Sequence, residues 1–239
     1  MKGTFNENYT VMRALSLISV ALVMLVTANC EKNTDPVPNP VNQNPVVNTG
    51  NPNLDSIMNN TPYEVPTAAE EEALKLMREE EKMARDLYLN AFDDWNVQIF
   101  QNISGSEQRH MDAVKALLTK YSLTDPVLND GRGLFVNPVI DSIYTLLDQQ
   151  AGLSKIDALK MGAFVEEFDI KDLRELKDHV VDNTDITLVF DELERGSRNH
   201  LRSFYENLQN QGITYVPQVL SQAEFDAIIN SPHETGGGM

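Results

Sequence analysis

The chain has 239 residues, with 36 acidic against 19 basic side chains and a formal net charge of −17. Nucleic-acid binding needs a basic face to displace counterions, so no nucleic-acid partner is expected. A single cysteine, Cys30, excludes an intrachain disulfide and any thiolate-built metal cluster, and leaves the core or a carboxylate- and imidazole-held metal to stabilise the fold.

The N-terminus reads as a targeting segment. Lys2 and Arg13 supply positive charge, and the apolar run ALSLISVALVMLVT covers 14 residues, short of the about 20 that cross a bilayer as a helix. Cleavage after Val26-Thr27-Ala28 would release a secreted chain. Processing before Cys30 would leave an acylated cysteine, as in bacterial lipoproteins, although Thr27 and Asn29 depart from the usual lipobox. Residues 1–29 are therefore read as a lipoprotein signal and Cys30 as the lipidation site. The protein is expected to be exported and held to a bacterial membrane only by its lipid, facing the periplasm or cell exterior; simple secretion is the alternative. Residues 30–65, rich in Asn and Pro and without helical or strand period, are expected to form a flexible tether.

From Pro66 the pattern changes. A first helix over 67–92 begins at Thr67 with glutamates at the positive end of its dipole. Leu74, Met77, Glu81, Ala84 and Tyr88 recur at steps of three and four on one face. Glu79 and Glu80 fall off this stripe and are expected in solvent. A second helix over 98–121 carries Phe100, Ile103, Glu107, His110, Val114 and Leu117 on one face. Asp-Pro, Asp-Gly and Asn-Pro turn signals follow, then a short packing helix over 138–150. A third long helix spans 154–179, with the Asp169-Ile170 step as the place where it could break; its stripe holds Glu166 and Asp169, with Glu167 one step round as a substitute for Glu166. The fourth, over 185–211, stops at Gly212 and places Ser197 and His200 among Phe190, Leu193 and Phe204. A short helix introduced by Ser221 follows, and residues 231–239 are expected to be disordered. No stretch alternates as a strand does. The expectation is an all-α four-helix bundle over 66–230 with additional short helices.

Each long helix thus turns ionisable groups toward the core, where an unpaired carboxylate costs several kcal/mol. One such group would be an ordinary hydrogen-bonded core residue. On four helices they can share one charge-neutralising centre: two divalent metal ions held by Glu81, Glu107, His110, Glu166, Asp169 and His200. Carboxylate with imidazole suits iron, manganese or zinc. Arg85 and Arg109 are expected to pair with carboxylates beside the site, Arg198 and Arg202 to flank the fourth helix, and Glu192 and Glu194 to lie on the surface. Tyr88 is either a redox or hydrogen-bonding neighbour of the site or plain core packing.

Two motifs carry a resemblance. Glu81-Lys-Met-Ala84-Arg85-Asp-Leu-Tyr88 is similar to the ExxARxxY of rubrerythrin first helices, and Glu107-Gln-Arg-His110 to their second-helix ExxH. The segments EEEKMARDLYLNAF, SEQRHMDAVKALL, GAFVEEFDIKDL and GSRNHLRSF together resemble an uncharacterised ferritin-like family, domain of unknown function 2202. The resemblance implies a ferritin-like bundle with a dinuclear iron site: ferroxidase activity or oxidative-stress protection, with an external electron donor because no cysteine-rich electron-transfer site is present. A dimer is the assembly expected if the chain oligomerises. One position departs. Where a second Glu-x-x-His is expected, the chain reads Ser197-Arg-Asn-His200, so either Asp169 is the stand-in carboxylate or one metal is poorly held or does not bind. The competing reading is a non-enzymatic binding module on a membrane surface, with a structural metal or a buried polar network at the same residues.

Overall fold

The computed structural model describes residues 52–235, with side chains from Asp55 onward, as seven helices without strands among the described residues. The leader, Cys30 and the first part of the tether lie outside the described residues. In chain order the helices are α1 (Pro52–Asn60), α2 (Ala68–Trp95), α3 (Gln98–Lys120), α4 (Pro138–Ala151), α5 (Lys155–His179), α6 (Thr184–Asn210) and α7 (Gln222–Ile229). None is long and apolar enough to cross a membrane.

Helix starts follow local chemistry. Thr67 and Glu70 form a reciprocal capping box on α2, Asn137 caps α4, Ser154 caps α5, and Ser221 with Glu224 repeats the box on α7. Glu70 then does a second job: its other oxygen accepts from the backbone N–H groups of Asp182 and Asn183 at the start of α6. Gly212, at φ +71°, ends α6 in the left-handed region that glycine tolerates. Helix α5 runs unbroken through Asp169-Ile170, where nothing removes a backbone donor.

The four long helices form the bundle. Helix α2 packs on α3 and α5 on α6, while α2 with α5 and α3 with α6 close the square. The crossover from α3 to α5 runs through a loop and α4, which lies against α2 and α5. The core comes in two apolar clusters. One gathers Tyr88, Phe100, Leu159 and Phe204 near one end; the other gathers Leu74, Met77, Val114, Leu173 and Phe190 near the other. The inward-facing ionisable residues gather where the two clusters meet, as Glu79, Glu80 and Glu81 do between Met77 and Met83 on α2. At Gly162 the helices touch, since a Cβ there would lie 2.4 Å from the Phe204 ring.

Three expectations are corrected here. Residues 52–60 of the expected tether are helical, and Met58 is buried. The cause is Lys120, whose buried ammonium pairs with Asp185 at 2.8 Å and donates to the carbonyls of Met58 at 3.0 Å and Thr61 at 3.4 Å. A buried ammonium needs several acceptors, and this stretch of backbone supplies two. Residues 231–235 are also held: Arg198 and Arg202 donate to the Glu234 carboxylate, and Asn199 to its carbonyl. Glu79 and Glu80 are buried, 3% and 0% exposed: the crossover covers Glu79, and Glu80 lies against Asp172 of α5. Glu79 accepts from the N–H groups of Val136 and Asn137 just ahead of α4. The loop is fastened to the same face by Lys82, which donates to Gly131 and Asp86, and by Arg78, which pairs with Asp125.

A chain beginning at residue 62 is therefore expected to be less stable than one beginning at residue 52 by about 3 kcal/mol, from lost Met58 burial and an ammonium short of acceptors. Urea denaturation of the two truncations checks this.

Candidate metal centre

Between the two apolar clusters, four helices bring five side chains together: Glu81 from α2, Glu107 and His110 from α3, Glu166 from α5 and His200 from α6. They form two overlapping groups whose ligand-type atoms lie within 4.8 Å of one another, Glu81–Glu107–His110 and Glu107–Glu166–His200. Glu107 belongs to both. Its Oε2 is 2.8 Å from His110 Nδ1 and its Oε1 is 2.8 Å from His200 Nδ1. His110 Nδ1 also lies 3.0 Å from Glu81 Oε2, and His200 Nδ1 3.4 Å from Glu166 Oε2. The two imidazoles stack with centroids 5.5 Å apart. Both rings thus turn the same nitrogen toward the carboxylates.

The surroundings fix these side chains. The Tyr88 hydroxyl donates to Glu166 Oε1 at 2.5 Å, leaving Oε2 for the group. Its ring packs on Phe100 and Phe204, so Tyr88 is at once a hydrogen-bonding neighbour and a core residue. Gly196 is the residue that sequence reasoning missed: a Cβ there would lie 2.5 Å from His110 Nε2. A bare Cα on α6 leaves the space that the His110 ring occupies. The one signal for it was its place in the GSRNHLRSF segment, which carries no geometry.

The remaining expected residues are placed as follows. Asp169 is fully buried beside the five but outside both groups, with neither oxygen hydrogen-bonded. Glu167 turns away: its carboxylate accepts from the Tyr215 hydroxyl and the N–H groups of Gln218, Val219 and Leu220, fastening the segment ahead of α7. Ser197 donates to the Leu193 carbonyl of its own helix and offers the site nothing. Arg85 and Arg109 do not reach the site carboxylates. Arg85 pairs with Asp86 and Asp130, and Arg109 donates to Gly105. Glu194 is buried rather than superficial, because Arg174, Lys177 and Arg198 converge on it.

Charge in the layer is unevenly satisfied. Beyond the close approaches within the two groups, both Glu107 oxygens, Glu81 Oε1, Glu166 Oε2 and His200 Nδ1 are buried with no hydrogen-bond partner. Burial raises the Glu81 carboxyl to about 7 against the pull of His110. Burial disfavours charge on His200 too, yet Glu107 and Glu166 outweigh it and lift the ring to about 9. Glu107 goes the other way: burial works against its ionised form, but the two histidines hold it well below the usual carboxylate range. The donor set is three carboxylates and two imidazoles converging in a dry layer, and such groups could hold a metal ion.

Fold and site together define an all-helical bundle whose mid-core carries two overlapping Glu/His groups. The chain belongs to the uncharacterized protein domain family DUF2202, whose model matches residues 70–232. It is 49% identical over 167 residues to the uncharacterized protein MJ0754 of Methanocaldococcus jannaschii, an alignment covering 70% of this chain and 90% of the relative. The crystal structure of hypothetical protein MJ0754 superposes with a TM-score of 0.70 at 47% identity, covering 72% of this chain and 98% of that one.

Two outcomes are expected. Gly196→Ala crowds His110 and should cost about 1–3 kcal/mol in urea denaturation. In the metal-free chain, Glu81 and His200 both hold protons to higher pH than they do unfolded, so native protons exceed unfolded ones between about pH 4 and 9. Stability from these two groups is fully present at the acid end, falls through about pH 7 for Glu81, and is lost for His200 as pH passes about 9. The denaturation midpoint followed across that range should decline; a midpoint that rises steadily would contradict the assignment.

Proposed function

We propose that the two Glu/His groups hold a pair of divalent metal ions, iron foremost and manganese or zinc as alternatives, with Glu107 shared between them. The observation that carries this is Glu107 itself. A fully buried carboxylate whose two oxygens each lie 2.8 Å from a different histidine, with no partner beyond those rings, is placed as a ligand shared by two ions would be. Glu81 with His110 would complete one ion's protein ligands, and Glu166 with His200 the other's. Bundles with one long crossover and inward-facing Glu and Glu-x-x-His residues are the ferritin-like type, and that is the architecture this reading favours. Ser197 removes one of the two bridging glutamates such sites can have, and Asp169, buried and without a hydrogen-bond partner, is the carboxylate that would replace it.

Iron held between carboxylates and imidazoles supplies redox chemistry with dioxygen or peroxide. The protein's own share is positioning and proton management. Tyr88 fixes Glu166, Gly196 admits His110, and the aromatic cluster of Tyr88, Phe100 and Phe204 keeps one side of the layer dry. The favoured activity is ferroxidase or oxidative-stress protection outside the cytoplasm, drawing electrons from an external donor because the chain has a single cysteine. Export and lipid attachment at Cys30 rest on the leader sequence alone.

A second reading keeps the layer as a structural metal or polar network within a surface-anchored binding module; the absence of a ligand at Ser197 favours it. Mass-spectrometric metal content after anaerobic Fe(II) reconstitution separates the two. The first reading expects about two ions per chain, one in Glu81→Ala and in Glu166→Ala, and none in Glu107→Ala. A single ion in the parent chain supports the structural role, and none in a folded chain removes both metal readings.

A further inference from the structure

The two halves of the Glu107 centre are not alike. On one side stand Glu81 and His110, on the other Glu166 and His200, and Glu107 turns one oxygen to each ring at the same 2.8 Å. Solvent reaches only one half. The His200 side chain is 10% exposed, whereas those of His110, Glu81, Glu107 and Glu166 are 1% or less. Gly196 and Ser203, one turn before and one turn after His200 on α6, are half-buried, so His200 sits at the border of that helix's buried face. His110 is closed over instead. The α6 backbone passes so near it that a Cβ at Gly196 would lie 2.5 Å from Nε2.

The donors differ as well. Glu81 has Oε2 at 3.0 Å from His110 Nδ1 and Oε1 without a partner, so both of its oxygens can serve an ion on that side. Glu166 has one to give. Its Oε1 accepts from the Tyr88 hydroxyl at 2.5 Å, which leaves Oε2, 3.4 Å from His200 Nδ1. Asp169 belongs to neither group and does not change the count. Spacing and donor number therefore agree: the His110 half is tighter and richer, the His200 half looser and poorer. A divalent ion is held more firmly by each further donor that converges on it and by a shell that keeps water out.

We propose that the two positions have different roles: Glu81 with His110 forms a closed position for a resident ion, and Glu166 with His200 an open one where a divalent cation enters and leaves. The assignment rests on the paired-metal reading, since it divides that pair. Under the ferroxidase reading, Fe(II) arriving as substrate is taken up at the His200 position, while the metal at the His110 position is the protein's own cofactor. Glu107, common to both, keeps the two in contact.

The test is chelation of the Co(II)-loaded full chain. Protein-bound Co(II) is followed by its visible absorbance after excess EDTA is added. Crystals of the loaded chain, soaked in the same chelator to the end of the first phase and measured at the cobalt absorption edge, show which ion stays. The expected result is release in two phases of one ion each, about tenfold or more apart in rate, with the surviving anomalous peak beside Glu81 and His110. A surviving peak beside Glu166 and His200 overturns the assignment, and so does loss of both ions in a single phase. A chain that binds no Co(II), or one ion only, fails differently: the paired centre itself is then absent, and its division with it.

Discussion

The structure depends on how it treats buried negative charge. Taking a carboxylate out of water is costly unless donors or a cation replace the lost hydration. Around the periphery of this bundle the replacement is complete: Glu70 and Glu79 sit on helix N-termini, Glu167 on a run of three backbone N–H groups, Glu194 under three cations, and Asp86 between Lys82 and Arg85. In the middle layer it is not. Among the described residues, apart from single atoms of Arg78, Arg195 and the Lys120-paired Asp185, the buried side-chain polar atoms with no partner beyond the layer's own Glu/His approaches all belong to Glu80, Glu81, Glu107, Glu166, Asp169, Asp172 and His200. One fold that satisfies its buried charges so thoroughly elsewhere has concentrated the exceptions where four helices meet.

That concentration shapes the rest of the molecule. The layer divides the hydrophobic core into two clusters, so each half must be closed separately. Lys120 and Asp185 anchor the end that α1 covers, while Glu167 and Tyr215 fasten the chain over the other. The crossover is pinned to α2 by Arg78, Lys82 and Arg85. These fastenings enclose the layer, whose five side chains are buried, which suits a preorganised ligand set: the cost of holding five like-minded side chains together is met by the scaffold before any ion arrives.

Helical periodicity made the long helices and the inward-facing Glu81, Glu107, His110, Glu166 and His200 legible, because step-of-three-and-four spacing is a local property. Caps were legible for the same reason; Thr67, Ser154 and Ser221 start helices by bonds to residues three positions on. What was hidden depended on distant partners. Residues 52–60 look unstructured until Lys120 needs their carbonyls. Glu80 looks solvated because a single stripe describes a helix with one buried face, whereas α2 is covered on two. Arg85 could not be paired correctly from sequence, since its partner Asp130 is 45 residues away on the crossover. The need for Gly196 exists only where α6 passes the His110 ring.

The central claim is that Glu107 is shared by two ions. Crystals of the manganese-loaded chain, with diffraction recorded at the manganese absorption edge, test it most directly. The account predicts two anomalous peaks flanking the Glu107 carboxylate, one beside Glu81 and His110, the other beside Glu166 and His200. A single peak on one side of Glu107, or none with the layer unchanged, would contradict it.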